Sequence, residues 1–299
     1  MHKFDNFSIY IFKVVFSLLV LFYLFNQIDT KQLFENVKKL NLIEFLFPVV
    51  LYIFAHLLNA VKLKIIIKDR SLVEITRFTF ISLFYGTALP GQIFGDVIKA
   101  YNLIRPNDNV GEIISIVFFD KMTGLFSLTI LTILGLLLMP EEISYIFIPL
   151  TLVFLFLITP IVFFPNILFR FVERVFVNIR INKKFLYSRN LFLKDILVSI
   201  ILGFCFQIVS VIILINLGHS LGIEISIFCW FFITGLLSIV LILPLSLAGI
   251  GIREITLITL LGVLGISSLK AFILSILLLF LTLIGALIGF ILNLLNYKN

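Results

Sequence analysis

The sequence predicts an all-α polytopic membrane protein, with about six full spans and two Pro/Gly-broken re-entrant hairpins in an inverted repeat. Three observations predict it. Hydrophobic residues make up 61% of the 299 positions against 13% charged, and mean hydropathy is +1.22. A soluble chain has no interior large enough for that much apolar surface. Several runs reach the roughly 18–20 apolar residues that cross about 30 Å of hydrocarbon. They are continuously apolar, without the alternation of a membrane β-barrel, which excludes that class. Finally, a charged turn broken by Pro and Gly occurs twice inside sequence that otherwise reads as spanning helix.

Residues 1–7 carry His2, Lys3 and Asp5 ahead of an apolar run with no small-residue cleavage site, the pattern of an uncleaved first span at 9–26. Asp29, Lys31, Glu35, Lys38 and Lys39 alternate with apolar residues over 27–42, which reads as an interfacial amphipathic helix. Spans follow at 43–62, 113–138, 145–165, 195–217 and 270–294, with interrupted segments at 74–104 and 226–266. The stretch 166–194 holds Arg170, Arg174, Arg180, Lys183, Lys184, Arg189 and Lys194 against Glu173, so it is expected in the cytoplasm. The base-free connection at Glu141-Glu142 is expected outside. The chain then divides into halves of about 1–139 and 140–299, meeting near Pro140, as one transmembrane domain.

Net charge is +7 and the pI is near 9.4. The basic residues lie between spans, where they meet anionic lipid, so no nucleic-acid partner is expected. Cys205 and Cys229 sit in apolar spans as packing residues. Three scattered histidines give no metal spacing, and P-loop, nucleophile-elbow and dinucleotide motifs are missing, so no cofactor is predicted. Gly285-x3-Gly289 reads as an intramolecular packing motif. His56 and Asn59 share a helix face and read as satisfied packing groups, with the lining of a cavity as the other reading.

The first break runs Leu89-Pro90-Gly91-Gln92-Ile93-Phe94-Gly95-Asp96, with Lys99 just after. The second runs from Leu243-Pro244 to Gly249-Ile250-Gly251-Ile252-Arg253-Glu254. Both contain Pro-x4-Gly. Pro90 and Pro244 remove a helix donor and disfavour helical geometry just before them. Gly91, Gly95, Gly249 and Gly251 permit positive φ or close backbone approach. A helix restarting after such a break presents unpaired N–H groups, a natural anion site. Plain Pro kinks are the competing reading. Basic flanks at Lys62, Lys64, Lys68, Arg70 and Arg77, and at Lys99 and Arg105, place both ends of the first hairpin in the cytoplasm. The second, flanked by His219, Glu224 and Lys270, enters from outside.

Among the charges, Arg253 offers the guanidinium fork that grips phosphate. Glu254 beside it does not face it on a helix. Asp96 and Lys99 stand three apart and can pair on one face. Asp120-Lys121 lies within an apolar run, as a functional pair or as a bridge to a charge near a break.

In order and spacing these stretches resemble the flippase-like membrane domain found at the N-terminus of lysylphosphatidylglycerol synthases and in stand-alone relatives. The likeness rests on Ala88 to Tyr101, Asp120-Lys121-Met122-Thr123-Gly124-Leu125, and Leu243-Pro244 through Glu254. One extra residue separates Pro90-Gly91 from Gly95. Asp96 replaces the family's usual Glu, and Asp120-Lys121 stands for Glu-Arg, so Lys121 lacks bidentate geometry. No soluble aminoacyl-transferase region follows residue 299, so the resemblance implies lipid translocation rather than lipid aminoacylation.

The leading expectation is a flippase or scramblase for phospholipid or lipid-linked head groups in the cell membrane, with both termini cytoplasmic, and not an enzyme. Lys99 and Arg253 would contact phosphate, while Asp96, Asp120 and Glu254 balance that charge or bind an amine. Without an ATP-binding motif, transport would be passive or ion-coupled. The alternatives are an integral membrane enzyme using Asp96 or Glu254 as acid–base groups, and a scaffold subunit for a separately encoded transferase. A homo-oligomer stays open as well.

Overall fold

Leu42 begins the first helix of a computed structural model that describes residues 42–89, 92–139, 145, 148–149, 193–242, 246 and 248–296. Eight helices occupy the described residues: α1 (Leu42–Ile66), α2 (Leu72–Ala88), α3 (Gln92–Leu103), α4 (Val110–Leu138), α5 (Leu193–Ser220), α6 (Ile227–Ile242), α7 (Ile252–Val263) and α8 (Ser268–Asn296). No strand occurs among these residues. Four stretches, Phe45–Ile66, Val110–Leu138, Lys194–Ser220 and Ser268–Leu295, are long and apolar enough to cross a bilayer. They coincide with four of the expected spans, each running a little further. The expected span at 9–26, the amphipathic stretch before residue 42 and the loop 166–192 lie outside the described residues. So do Pro140, Glu141-Glu142 and nearly all of the span at 145–165.

The two sets of four helices match. Those from α1 to α4 run 25, 17, 12 and 29 residues, and those from α5 to α8 run 28, 16, 12 and 29. Packing repeats the correspondence: α2 lies on α8 as α6 lies on α4, with α1 against α5 between them. The sets run in opposite senses. Lys68, just past α1, pairs at 2.8 Å with Asp195 in the first turn of α5, and His56 meets Phe206 edge-on at 5.9 Å between ring centroids. Residue numbers rise along α1 as they fall along α5, so the two are antiparallel.

The short helices form hairpins open at opposite ends of the bundle. Ser71 caps α2 by accepting from the Glu74 N–H at 3.1 Å. Arg70 donates to the Leu103 carbonyl at 3.1 and 3.0 Å and pairs with Asp108. Arg105 pairs with Glu74 at 2.8 Å. The start of α2 and the end of α3 are thereby tied together, leaving the end of α2 at Leu89 and the start of α3 at Gln92 as the far end of the hairpin. At the other end, Lys270 at the start of α8 donates to the Gly222 carbonyl at 2.8 Å, and Trp230 of α6 packs under Gly218 of α5. At 1.5 Å per residue, 17 residues extend about 26 Å and 12 about 18 Å, so no hairpin arm alone crosses ~30 Å of hydrocarbon.

Lipid tails are as apolar as leucine, so helices here associate by close packing at small residues. A Cβ on Gly235 of α6 would stand 1.8 Å from the Thr132 hydroxyl of α4. In the equivalent pair, a Cβ on Gly289 of α8 would stand 2.0 Å from the Phe80 carbonyl oxygen of α2, and Gly285 lies against Tyr52 and Leu83. The Gly285-x3-Gly289 motif is therefore intramolecular, as expected. Because the obstacle is backbone, Gly289→Ala should push α2 from α8 and destabilise the fold by about 1–3 kcal/mol. Thermal unfolding in detergent checks this; an unchanged midpoint would refute the close-packing role.

A polar cavity between the hairpins

Leu89 ends α2 with extended backbone, φ −102° and ψ 155°, as a residue before proline prefers. Three residues into α3, Gly95 packs directly on α2, where a Cβ would come within 2.3 Å of the Ser82 carbonyl oxygen. Its part is close approach, which brings Asp96 and Lys99 in beside α4. The second break is tighter. Ala248, Gly249 and Gly251 all have positive φ, at 53°, 77° and 87°, a region that costs an L-residue such as Ala248 about 1 kcal/mol or more. Past this turn, α7 starts with Glu254 at its third position. The Glu254 carboxylate accepts from the Gly251 N–H and, at 2.5 Å, from the Ser275 hydroxyl of α8. Glu254 is thus a cap. Arg253 points the other way. Its Nη2 donates to the Ala248 carbonyl at 2.8 Å, while Nη1 is buried with no hydrogen-bond partner among the described residues.

Five charges from three helices alternate in a ladder. Lys62 Nζ of α1 lies 3.1 Å from Asp120 Oδ1 and donates to the Asp120 backbone carbonyl at 2.8 Å. Lys99 Nζ lies 3.6 Å from Asp120 Oδ2 and 3.4 Å from Asp96 Oδ1. Lys121 Nζ lies 3.0 Å from Asp96 Oδ2. Asp120 Oδ1 makes ion-pair contact without a well-directed hydrogen bond. Lys62, Lys99 and Asp120 are buried, so each needs these partners.

The ladder and Arg253 line one cavity of about 380 Å³. Of the residues singled out in the sequence, Gly95, Asp96, Lys99, Asp120, Lys121, Gly249 and Arg253 meet there. Gly251 and Glu254 hold the turn from behind. Pro90, Gly91 and Pro244 lie outside the described residues. Two readings are corrected. Lys62, counted with the cytoplasmic basic flank, is a buried member of the ladder, because α1 continues a full turn beyond it to Ile66. His56 and Asn59, read as satisfied packing groups, line the cavity, and His56 Nδ1 has no partner among the described residues. Together with Tyr52 they stand at i, i+4, i+7 and i+10 to Lys62, one helix face, and that spacing was the available signal. The α5 contributions, Phe206, Gln207 and Ser210, gave no comparable signal.

Four cations therefore line the cavity against two carboxylates. Lys99 and Arg253 both stand nine residues after a proline, Pro90 and Pro244, but Lys99 is the eighth residue of α3 and Arg253 the second of α7. Their surroundings differ. Lys99 faces Asp120, the eleventh residue of α4, whereas the eleventh residue of α8 is Leu278. Arg253 has no carboxylate partner at that position, so the arrangement has an excess of positive charge around one cavity and favours an anion.

A family model described as lysylphosphatidylglycerol synthase TM region matches residues 10–289. No curated protein and no solved structure matches the chain.

Proposed function

This chain belongs to the lysylphosphatidylglycerol synthase TM region family, a multi-pass membrane family tied to lipids, and from that premise we propose that it moves phospholipid or lipid-linked head groups between leaflets, as a flippase or scramblase. The observation that carries this reading is the cation-rich cavity into which both hairpins deliver a charge, Lys99 from one and Arg253 from the other. A lipid phosphate seated there would gain charge-assisted hydrogen bonds from Arg253 Nη1. The acyl chains would stay in the bilayer, since about 380 Å³ is at the low end of ligand-pocket volumes.

In this reading the hairpins are re-entrant from opposite sides of the cell membrane. The bundle end holding Lys64, Lys68, Arg70, Arg105 and Lys194 is cytoplasmic, against Lys270 alone at the other end among the described residues. The chain acts as a transporter and not as an enzyme, passively or by ion coupling.

Purified protein reconstituted into vesicles with a head-group-accessible fluorescent phospholipid should let a membrane-impermeant reductant bleach both leaflets. Bleaching of the outer leaflet alone, as in protein-free vesicles, would overturn the proposal. A chemically altered head group without transport would move the assignment to a lipid-modifying enzyme or a transferase scaffold.

A further inference from the structure

His56 is buried on the cavity wall and takes part in none of the ion pairs among the described residues. It is 9% exposed, and its Nδ1 has no hydrogen-bond partner there. Tyr52, Phe80 and Phe206 pack edge-on against its ring, at 4.6, 6.1 and 5.9 Å between centroids, and fix its orientation. Along α1 it stands six residues before Lys62, about 9 Å from the ladder along the helix axis.

The titratable and charged groups that share the cavity are Tyr52 and Lys62 of α1, Asp96 and Lys99 of α3, Asp120 and Lys121 of α4, and Arg253 of α7. The lining from α2, α5, α6 and α8 is neutral among the described residues. Each aspartate lies between two lysines, and each lysine has a carboxylate. Among the described residues, that leaves the imidazole of His56 as the open seat for a proton. A proton there adds positive charge to a cavity where four cations already face two carboxylates. A bound anion offsets it. Each therefore favours the binding of the other, and by linkage to the same degree.

We propose that His56 is a proton site at which a proton binds together with the anion, so that the two cross the membrane as a neutral pair. The joint binding needs only an anion in the cavity, whereas the crossing rests on the transport reading. On loading, the imidazole takes a proton from water and becomes imidazolium. On release it returns that proton, and no bond of the lipid changes.

Phosphatidylglycerol is the probe, because its phosphodiester keeps a single negative charge across the neutral range. Added to the full chain in weakly buffered detergent with a pH-indicator dye, it should remove up to about one proton per lipid bound. Affinity should rise several-fold as the pH is lowered by about two units, within the roughly tenfold per unit that one linked proton permits. His56→Gln and His56→Asn keep a hydrogen-bonding side chain that cannot take the proton, so both should bind the lipid with neither uptake nor pH response. The wild-type stoichiometry stands even where one variant fails to fold. In vesicles whose interior is more alkaline than the medium, labelled lipid should accumulate in the inner leaflet with the wild type and spread evenly with either variant.

Uptake that persists in both variants would put the proton on the lysine–aspartate ladder and overturn the inference. Binding without uptake would do the same, as would a probe that fails to bind at any pH. Joint uptake without lipid movement would overturn the transport reading alone. Lipid movement that ignores pH in the wild type would overturn this inference alone.

Discussion

Asp120→Ala should cost about 3–5 kcal/mol of stability, because it leaves Lys62 and Lys99 buried beside a lost counter-ion. Lys62 suffers more. Asp120 is the carboxylate it pairs with, whereas Lys99 keeps Asp96 at 3.4 Å. With a total of about 5–15 kcal/mol to lose from, such a deficit removes most folded protein. Yield of monodisperse protein in detergent and its thermal midpoint should both fall. Adding Lys62→Met should restore part of the loss, since replacing both members of a buried ion pair with apolar groups is often neutral. A stable single variant, or a double variant no better than the single, would show that the ladder does not hold α1, α3 and α4 together.

Arg253→Gln should behave in the opposite way. Among the described residues its guanidinium makes one hydrogen bond, to the Ala248 carbonyl, and no ion pair with a carboxylate, whereas Lys99 pairs with both Asp96 and Asp120. Removing a buried charge that no carboxylate contacts directly among the described residues should leave stability unchanged or slightly raised. Lipid movement in reconstituted vesicles should nevertheless fall roughly 10- to 100-fold, the loss of one hydrogen bond from a buried cation to a bound anion. Arg253→Lys keeps the charge but not the fork, so its rate should lie between. Wild-type rates in Arg253→Gln would remove this residue from the transport path. A collapse in stability would make it a structural residue instead.

The two variants separate charges that look alike along the chain. Asp120-Lys121 and Arg253-Glu254 are both adjacent acid–base pairs within apolar sequence, yet no member of either pair bonds its neighbour's side chain. Asp120 reaches across to α1 and α3, Lys121 to α3, Glu254 back to its own helix start and to α8. Helix geometry anticipates the separation, since successive residues point about 100° apart. Which helix each one meets depends on register between elements, and that is set by contacts such as Gly95 on Ser82 and Gly289 on Phe80.

Lys62 shows the boundary of sequence reading most clearly. Counting charge along a chain cannot separate the last turns of a helix from the loop beyond, because lysine is equally at home in both. Only the continuation of α1 to Ile66 puts this lysine inside the bundle. Glu254 shows the converse. A glutamate three residues after a glycine at a helix start is a capping pattern visible in sequence, but its intramembrane setting drew attention to its charge rather than to its place in the turn.

The sequence by itself determined the all-helical membrane class, the four long spans and the two broken segments. These follow from local chemistry: apolar run length, and the backbone limits of proline and glycine. It also determined that Lys99 and Arg253 stand equally far from their breaks. Tertiary structure alone decided that both reach one cavity, that three lysines share two aspartates, and that Arg253 is left with a free edge. Pairing of buried charges depends on distances of 3 to 4 Å between different helices, and helix packing at glycines, not sequence proximity, sets those distances.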